Sequence, residues 1–348
     1  MDIGHLSWRR RVPFGARPLR ALRHAACALS AMLAATASLP ASSFAAADEV
    51  HYRTAKVDGL TIFYREAGPP DAPTILLLHG FPTSSHMFRD LIPLLADRYH
   101  LVAPDYPGFG FSSTPTVAEF SYTFDHLTDV IEHFTETLGL KHYALYMQDY
   151  GGPVGFRLAT RHPERVSALL VQNANAYDEG ITPAVRRVVL RLWTDHSEDA
   201  AAAARPLFEF PFTKETFLRG ASDTSLVGPD AWQHAQWGMD RPGNKEIQFA
   251  LQANYGANPL LYPTWHAYFR RYQPPTLVTW GKGDEVFAVA GAEAYRKDLP
   301  NAEVHILDAG HFALETKAGM IADYIRAFLP RHHIAGAHPA GGISRHRK

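Results

Sequence analysis

Short apolar runs alternate along this chain with longer segments whose apolar residues recur at helical spacing. Positions 60–65, 74–79, 100–103 and 142–147 read as strands, and the second contains the unbroken run Ile75-Leu76-Leu77-Leu78. Positions 85–95, 123–138 and 153–162 read as helices, the last with Pro153 in its first turn, where a missing N–H is tolerated. Strands that are apolar on both faces and separated by helices predict a mostly parallel sheet flanked by helices, an α/β fold. Positions 168–172 and 276–280 continue that sheet, and 303–307 closes it.

The alternation breaks between about 178 and 266, where the pattern is helical and no buried strand is evident. A helical insertion between two strands of a parallel sheet predicts a cap over the strands' C-terminal edge, where α/β proteins place ligands. The expected organisation is a core over 48–177 and 266–330, interrupted by a helical cap over 178–265, with no internal repeat.

The two ends differ from the body. Within 1–47, Arg9, Arg10, Arg11, Arg17, Arg20 and Arg23 face a single acid, Asp2, and an Ala/Leu-rich stretch follows over 25–39. That stretch is too short to span a hydrocarbon core of about 30 Å. Ala45-Ala46-Ala47 then supplies a small-residue cleavage pattern. The combination predicts a secretory signal peptide and an exported, periplasmic or secreted protein with no stable membrane anchor after cleavage. Positions 331–348, rich in Gly, His and Arg, predict a disordered tail.

Composition adds three exclusions. With 46% hydrophobic residues, the chain has enough apolar material for a sizeable core. Its 34 basic and 35 acidic residues give a net charge of −1, against the basic excess of a nucleic-acid binder. Cys27 is the only cysteine, so neither an intrachain disulfide framework nor a Cys-rich zinc site can form.

Candidate chemistry sits at strand ends. Met147-Gln148-Asp149-Tyr150-Gly151-Gly152 joins a strand to a helix, and a tight turn there needs small neighbours, which Gly151 and Gly152 provide. The apex is Asp149 rather than serine, and there is no G-x-S-x-G in the chain. A carboxylate held ionised by the helix N-terminus can attack an sp³ carbon without prior deprotonation and form an ester; the plainer alternative is that Asp149 caps the helix. In His79-Gly80-Phe81-Pro82, the N–H of Phe81 can form an oxyanion hole with that of Tyr150, while His79 reads as structural. His311 lies in a glycine turn after the last strand, and Asp284 follows the strand before it. Asp149, Asp284 and His311 thus run in the order nucleophile, acid, base.

Together, the segments from His79-Gly80-Phe81-Pro82-Thr83-Ser84-Ser85 through Ala103-Pro104-Asp105-Tyr106-Pro107-Gly108-Phe109-Gly110 to Gln148-Asp149-Tyr150-Gly151-Gly152 resemble the α/β-hydrolase superfamily, in the branch of haloalkane dehalogenases and epoxide hydrolases. The resemblance covers about 50–330. It implies the α/β-hydrolase fold with an inserted helical cap, Asp149 as nucleophile, His311 as base and Asp284 as its acid. In some relatives the acid follows the preceding strand; here Gln172-Asn173-Ala174-Asn175 stands there, which favours Asp284. Asp105 reads as a structural loop residue.

The two branches differ in how they hold the leaving atom. Dehalogenases usually place tryptophan after the nucleophile and Glu or Asn after His-Gly; this chain has Tyr150 and Phe81. Epoxide hydrolases use two cap tyrosines, and here the candidates are Tyr255 and Tyr262, whereas Trp193 is a candidate halide donor. The expectation is a dehalogenase-like hydrolase acting on a small apolar organic substrate with water, the alternative an epoxide hydrolase, and the third a catalytically silent small-molecule receptor. No motif calls for a cofactor or metal.

Overall fold

The computed structural model describes residues 49–334. Eight strands form one sheet: β1 (His51–Val57), β2 (Leu60–Ala67), β3 (Thr74–Leu78), β4 (His100–Pro104), β5 (Tyr143–Gln148), β6 (Val166–Gln172), β7 (Thr276–Gly281) and β8 (Glu303–Leu307). They lie in the order β1-β2-β4-β3-β5-β6-β7-β8. The pairs β1–β2 and β2–β4 are antiparallel, and every pair beyond β4 is parallel.

Side-chain alternation divides the apolar strands between two packed layers, as period-two geometry requires. Leu76, Leu78, Val102, Leu145, Met147, Leu169 and Val171 face one cluster. Their neighbours Ile75, Leu77, Leu101, Ala103, Ala144, Tyr146 and Leu170 face the other. On the first face lie α1 (Phe124–Thr137), whose start is capped by the Thr123 hydroxyl accepting from the His126 N–H at 3.1 Å, and α2 (Gly151–Arg161). The last helix, α11 (Leu314–Arg331), buries Ile321, Ile325, Phe328 and Leu329 on the second.

The insertion between β6 and β7 is helical throughout. It comprises α3 (Pro183–Val185), a wide π turn at Arg186–Leu190, α4 (Arg191–Thr194), α5 (Glu198–Ala204), α6 (Phe210–Leu218), α7 (Pro229–Met239), α8 (Asn244–Asn254) and α9 (Tyr262–Tyr272). The last of these packs on the sheet's own helix layer: Trp265 and Phe269 lie 5.1 and 5.5 Å from the Phe156 ring of α2. A short helix, α10 (Val289–Ala294), then connects β7 to β8.

Two sequence expectations change. The segment 85–95 is not a continuous helix: only a 3₁₀ turn at Ser85–Phe88 forms, followed by a series of turns. Pro93 has no N–H to continue a helical ladder, so the segment buries Leu91, Ile92 and Leu95 from turns instead. The edge strand β1 escaped the sequence reading because most of its residues face solvent. The expected tail begins at 331, yet α11 includes Arg331 and Ile334 packs against the second cluster. The expected leader over 1–47 and the rest of the tail lie outside the described residues.

Candidate active site

β5 ends in a turn so tight that Asp149 takes a left-handed backbone, φ +48°, before α2 begins. Non-glycine residues rarely hold this conformation, and neighbours must make room for it. A Cβ on Gly151 would sit 2.1 Å from the Leu78 carbonyl oxygen, and one on Gly80 would sit 2.3 Å from the Asp149 Cβ. The glycines on either side of Asp149 are therefore required by contact. No side-chain hydrogen bond caps the start of α2, so helix capping does not account for Asp149.

The Asp149 carboxylate is divided in its contacts. Its Oδ1 accepts the Phe81 N–H at 2.7 Å, and its Oδ2 lies 3.8 Å from His311 Nε2. Burial lifts its pKa above the ordinary carboxylate value, outweighing the opposing pull of His311 and of the Phe81 and Tyr150 N–H groups. Desolvation is the largest of these effects, and it makes the carboxylate more basic.

His311 stands between two carboxylates. Its Nδ1 donates to Asp284 Oδ2 at 2.9 Å, which leaves Nε2 facing Asp149. Burial drives the imidazole toward its neutral form, but the charges of Asp284 and Asp149 outweigh it and raise the pKa above the usual value. Asp284 is held in turn. Its Oδ1 accepts the Val286 and Phe287 N–H groups at 2.7 and 3.1 Å, and its Oδ2 accepts Asn173 Nδ2 at 2.7 Å. Asn173, just past β6, is a support that the sequence reading passed over, although it fills the place where some relatives carry the acid itself. Gln148, one residue before Asp149, points its Nε2 at His311 Nε2 from 2.9 Å.

Two expected structural residues behave as such. His79 bridges its own loop, with Nδ1 on the Gly80 carbonyl at 3.1 Å and Nε2 accepting the Tyr106 N–H at 3.3 Å, and burial pushes its pKa down to about 3. Asp105 accepts the N–H groups of Ser85 and Phe111 at 2.7 and 2.9 Å, tying two loops together.

A cavity of about 260 Å³ opens beside Asp149 and His311. Its walls are mainly apolar, with Val185, Val189, Leu207 and Phe212 from the insertion and Phe81 and Phe287 from the sheet side. Tyr150 and Tyr255 line it as well, their rings 6.1 Å apart. The other two candidate ligand contacts lie elsewhere. Trp193 packs against Gly256, where an added Cβ would meet its Cβ at 2.2 Å, and it is 39% exposed. Tyr262 accepts Asn175 Nδ2 at 3.0 Å and packs on Trp265. No tryptophan is among the residues lining the cavity.

The chain matches the alpha/beta hydrolase fold family over residues 73–318, and it belongs to that family. The chain is an α/β-hydrolase enzyme. It is 43% identical to an uncharacterized hydrolase of Saccharomyces cerevisiae over 271 residues, covering 77% of this chain and 93% of the relative. It is 39% identical to a haloalkane dehalogenase of Bradyrhizobium diazoefficiens over 167 residues, 46% of this chain and 49% of that enzyme. A loop variant of a haloalkane dehalogenase from Bradyrhizobium elkanii shares the fold, with a TM-score of 0.62 at 23% identity over 82% of this chain and 98% of the other.

Proposed function

We propose that the protein is a hydrolase in which Asp149 forms a covalent ester with a small apolar substrate and His311 directs its hydrolysis. The observation that carries this reading is the divided carboxylate: Oδ1 rests on the Phe81 N–H while Oδ2 faces the cavity and the imidazole. In the first half, Oδ2 attacks a saturated carbon, a C–O ester bond forms, and the electron pair of the broken bond stays with the leaving atom. In the second half, His311 Nε2 takes a proton from water and the hydroxide attacks the ester carbonyl. Charge then develops on Oδ1, already in contact with the Phe81 N–H, with the Tyr150 N–H as second donor. Collapse breaks the ester bond, the departing alkoxide recovers the proton from His311, and the carboxylic acid left on Asp149 releases its proton, which replaces the one spent on the leaving atom.

The charges favour this sequence. In the free protein Asp149 helps draw His311 toward its cation. Esterification removes that negative charge, so the imidazole becomes easier to keep neutral at the stage when it must act as a base.

The leaving atom is most consistent with an epoxide oxygen, the product being a diol. An opened epoxide leaves an alkoxide that needs a proton, and a phenol can supply one. Burial, with the Asp149 charge contributing, pushes Tyr150 and Tyr255 well above their ordinary values, so both stay protonated donors. Among the described residues the buried Tyr150 hydroxyl has no hydrogen-bond partner. Halide release is the second reading, favoured by the named dehalogenase relatives and the apolar walls; against it stand Phe81 and Tyr150, where that chemistry usually places polar and indole donors. Incubation with styrene oxide and with short chloro- and bromoalkanes separates the readings. Diol without halide supports the epoxide, and halide without diol reverses the order. If the phenols hold the leaving oxygen, Tyr255→Phe lowers kcat/KM for the epoxide by about ten- to a hundred-fold, the effect of one hydrogen bond to a charged group. An unchanged kcat/KM in both Tyr150→Phe and Tyr255→Phe would remove the phenols from the mechanism.

A further inference from the structure

Gln148 is fully buried at the end of β5, and its amide meets the one nitrogen of His311 that the mechanism needs free. The ring's other nitrogen is committed, since Nδ1 donates to Asp284 Oδ2. In the neutral imidazole Nε2 is then an acceptor, and the group directed at it from 2.9 Å is the Gln148 amide nitrogen. The arrangement has a cost: Gln148 Oε1 is buried with no partner among the described residues, and it sits so close to Gly80 that a Cβ there would come within 2.6 Å of it. An apolar side chain of the same length would fill this space without leaving a carbonyl unsatisfied.

We infer that Gln148 is a positioning residue for His311: its amide N–H fixes the imidazole plane and occupies the Nε2 lone pair, holding the base neutral until water takes its place. The part of this role that concerns ester hydrolysis rests on the function proposed above. The need for such a group follows from the surroundings of the ring. Asp284 lies at 2.9 Å on one side and Asp149 at 3.8 Å on the other, and both favour the cation. Glu215, Arg219 and Glu285 also line the cavity into which His311 opens; both glutamates pair with Arg219, whose single positive charge offsets only one of theirs. An N–H donor aimed at Nε2 is compatible only with the neutral ring and so opposes that pull. Gln172 completes the support by donating from Nε2 to the His311 carbonyl at 3.1 Å.

The test titrates the His311 imidazole by NMR in the resting full-length protein, for the wild type, Gln148→Met and the isosteric Gln148→Glu. Loss of the donor in Gln148→Met is expected to move the imidazole pKa upward by roughly half a pH unit or more, and Gln148→Glu, which turns the donor into an anionic acceptor, moves it further. In single-turnover experiments at neutral pH, Gln148→Met then slows ester hydrolysis more than ester formation, and raising the pH recovers the difference. An imidazole titration unchanged in both folded variants would overturn the inference, as would equal slowing of the two half-reactions with no recovery at higher pH. The titration needs no substrate. Absence of an ester in the wild type would therefore sink the proposed function while leaving the Gln148–His311 coupling to stand or fall on the titration alone.

Discussion

Asp149→Asn abolishes turnover, with an expected loss on the order of 10⁴-fold or more, because a neutral amide oxygen cannot displace a leaving group from saturated carbon. The substitution keeps the shape of the side chain and an oxygen to accept the Phe81 N–H that Oδ1 accepts at 2.7 Å. It also removes a buried charge whose pKa is raised by desolvation, meaning that the fold disfavours the ionised form. The variant therefore unfolds no more easily than the wild type near neutral pH, a point that thermal unfolding checks directly. Loss of activity without loss of stability separates a reacting group from a structural one. Retained turnover in a folded Asp149→Asn protein would rule out the ester.

His311→Gln has a different expected signature. Ester formation continues, since it asks nothing of the imidazole as a base, while hydrolysis slows by roughly 10²–10⁴-fold. One equivalent of substrate is consumed per protein and the reaction stalls, with the mass of the intact protein raised by the alkyl group on Asp149. The silent-receptor alternative predicts no adduct in either protein. The wild type adds a pH test. Its His311 imidazole carries a pKa above the ordinary value because Asp284 and Asp149 outweigh burial. Hydrolysis is therefore lost as the pH falls. Once Asp149 is esterified its contribution is gone, so the midpoint for ester hydrolysis lies below the imidazole pKa of the free protein. Equal values would mean that Asp149 and His311 do not sense each other across the 3.8 Å gap.

Much of this architecture was legible because it depends on local chemistry at strand ends. The runs at Ile75–Leu78 and 142–147 are apolar on both faces, which only a covered parallel sheet accommodates, and the elbow was visible in Asp149 flanked by Gly151 and Gly152. What escaped depends on relations that spacing does not encode. The strand β1 exposes most of its side chains, so it carries no burial pattern. In the cap, the π turn at Arg186–Leu190 departs from the 3.6-residue register between Val185, which faces the cavity, and Trp193, which does not. No count of positions along a helical pattern predicts that change. Tyr262 read as the equal of Tyr255, and only the packing of α9 on α2 assigns it to Asn175 instead. Asn173 and Gln148 were invisible as supports because an amide's role is fixed by the atoms it meets across the fold.

The proposed ester requires that the oxygen entering the product first belong to Asp149. A single turnover in heavy-oxygen water, with protein in excess over substrate, tests it most directly. The expected result is an unlabelled product and one heavy oxygen in the peptide containing Asp149, since water attacks the ester carbonyl and the original carboxylate oxygen leaves with the product. Labelled product with an unlabelled Asp149 peptide would mean that water displaces the leaving group directly and that no ester forms.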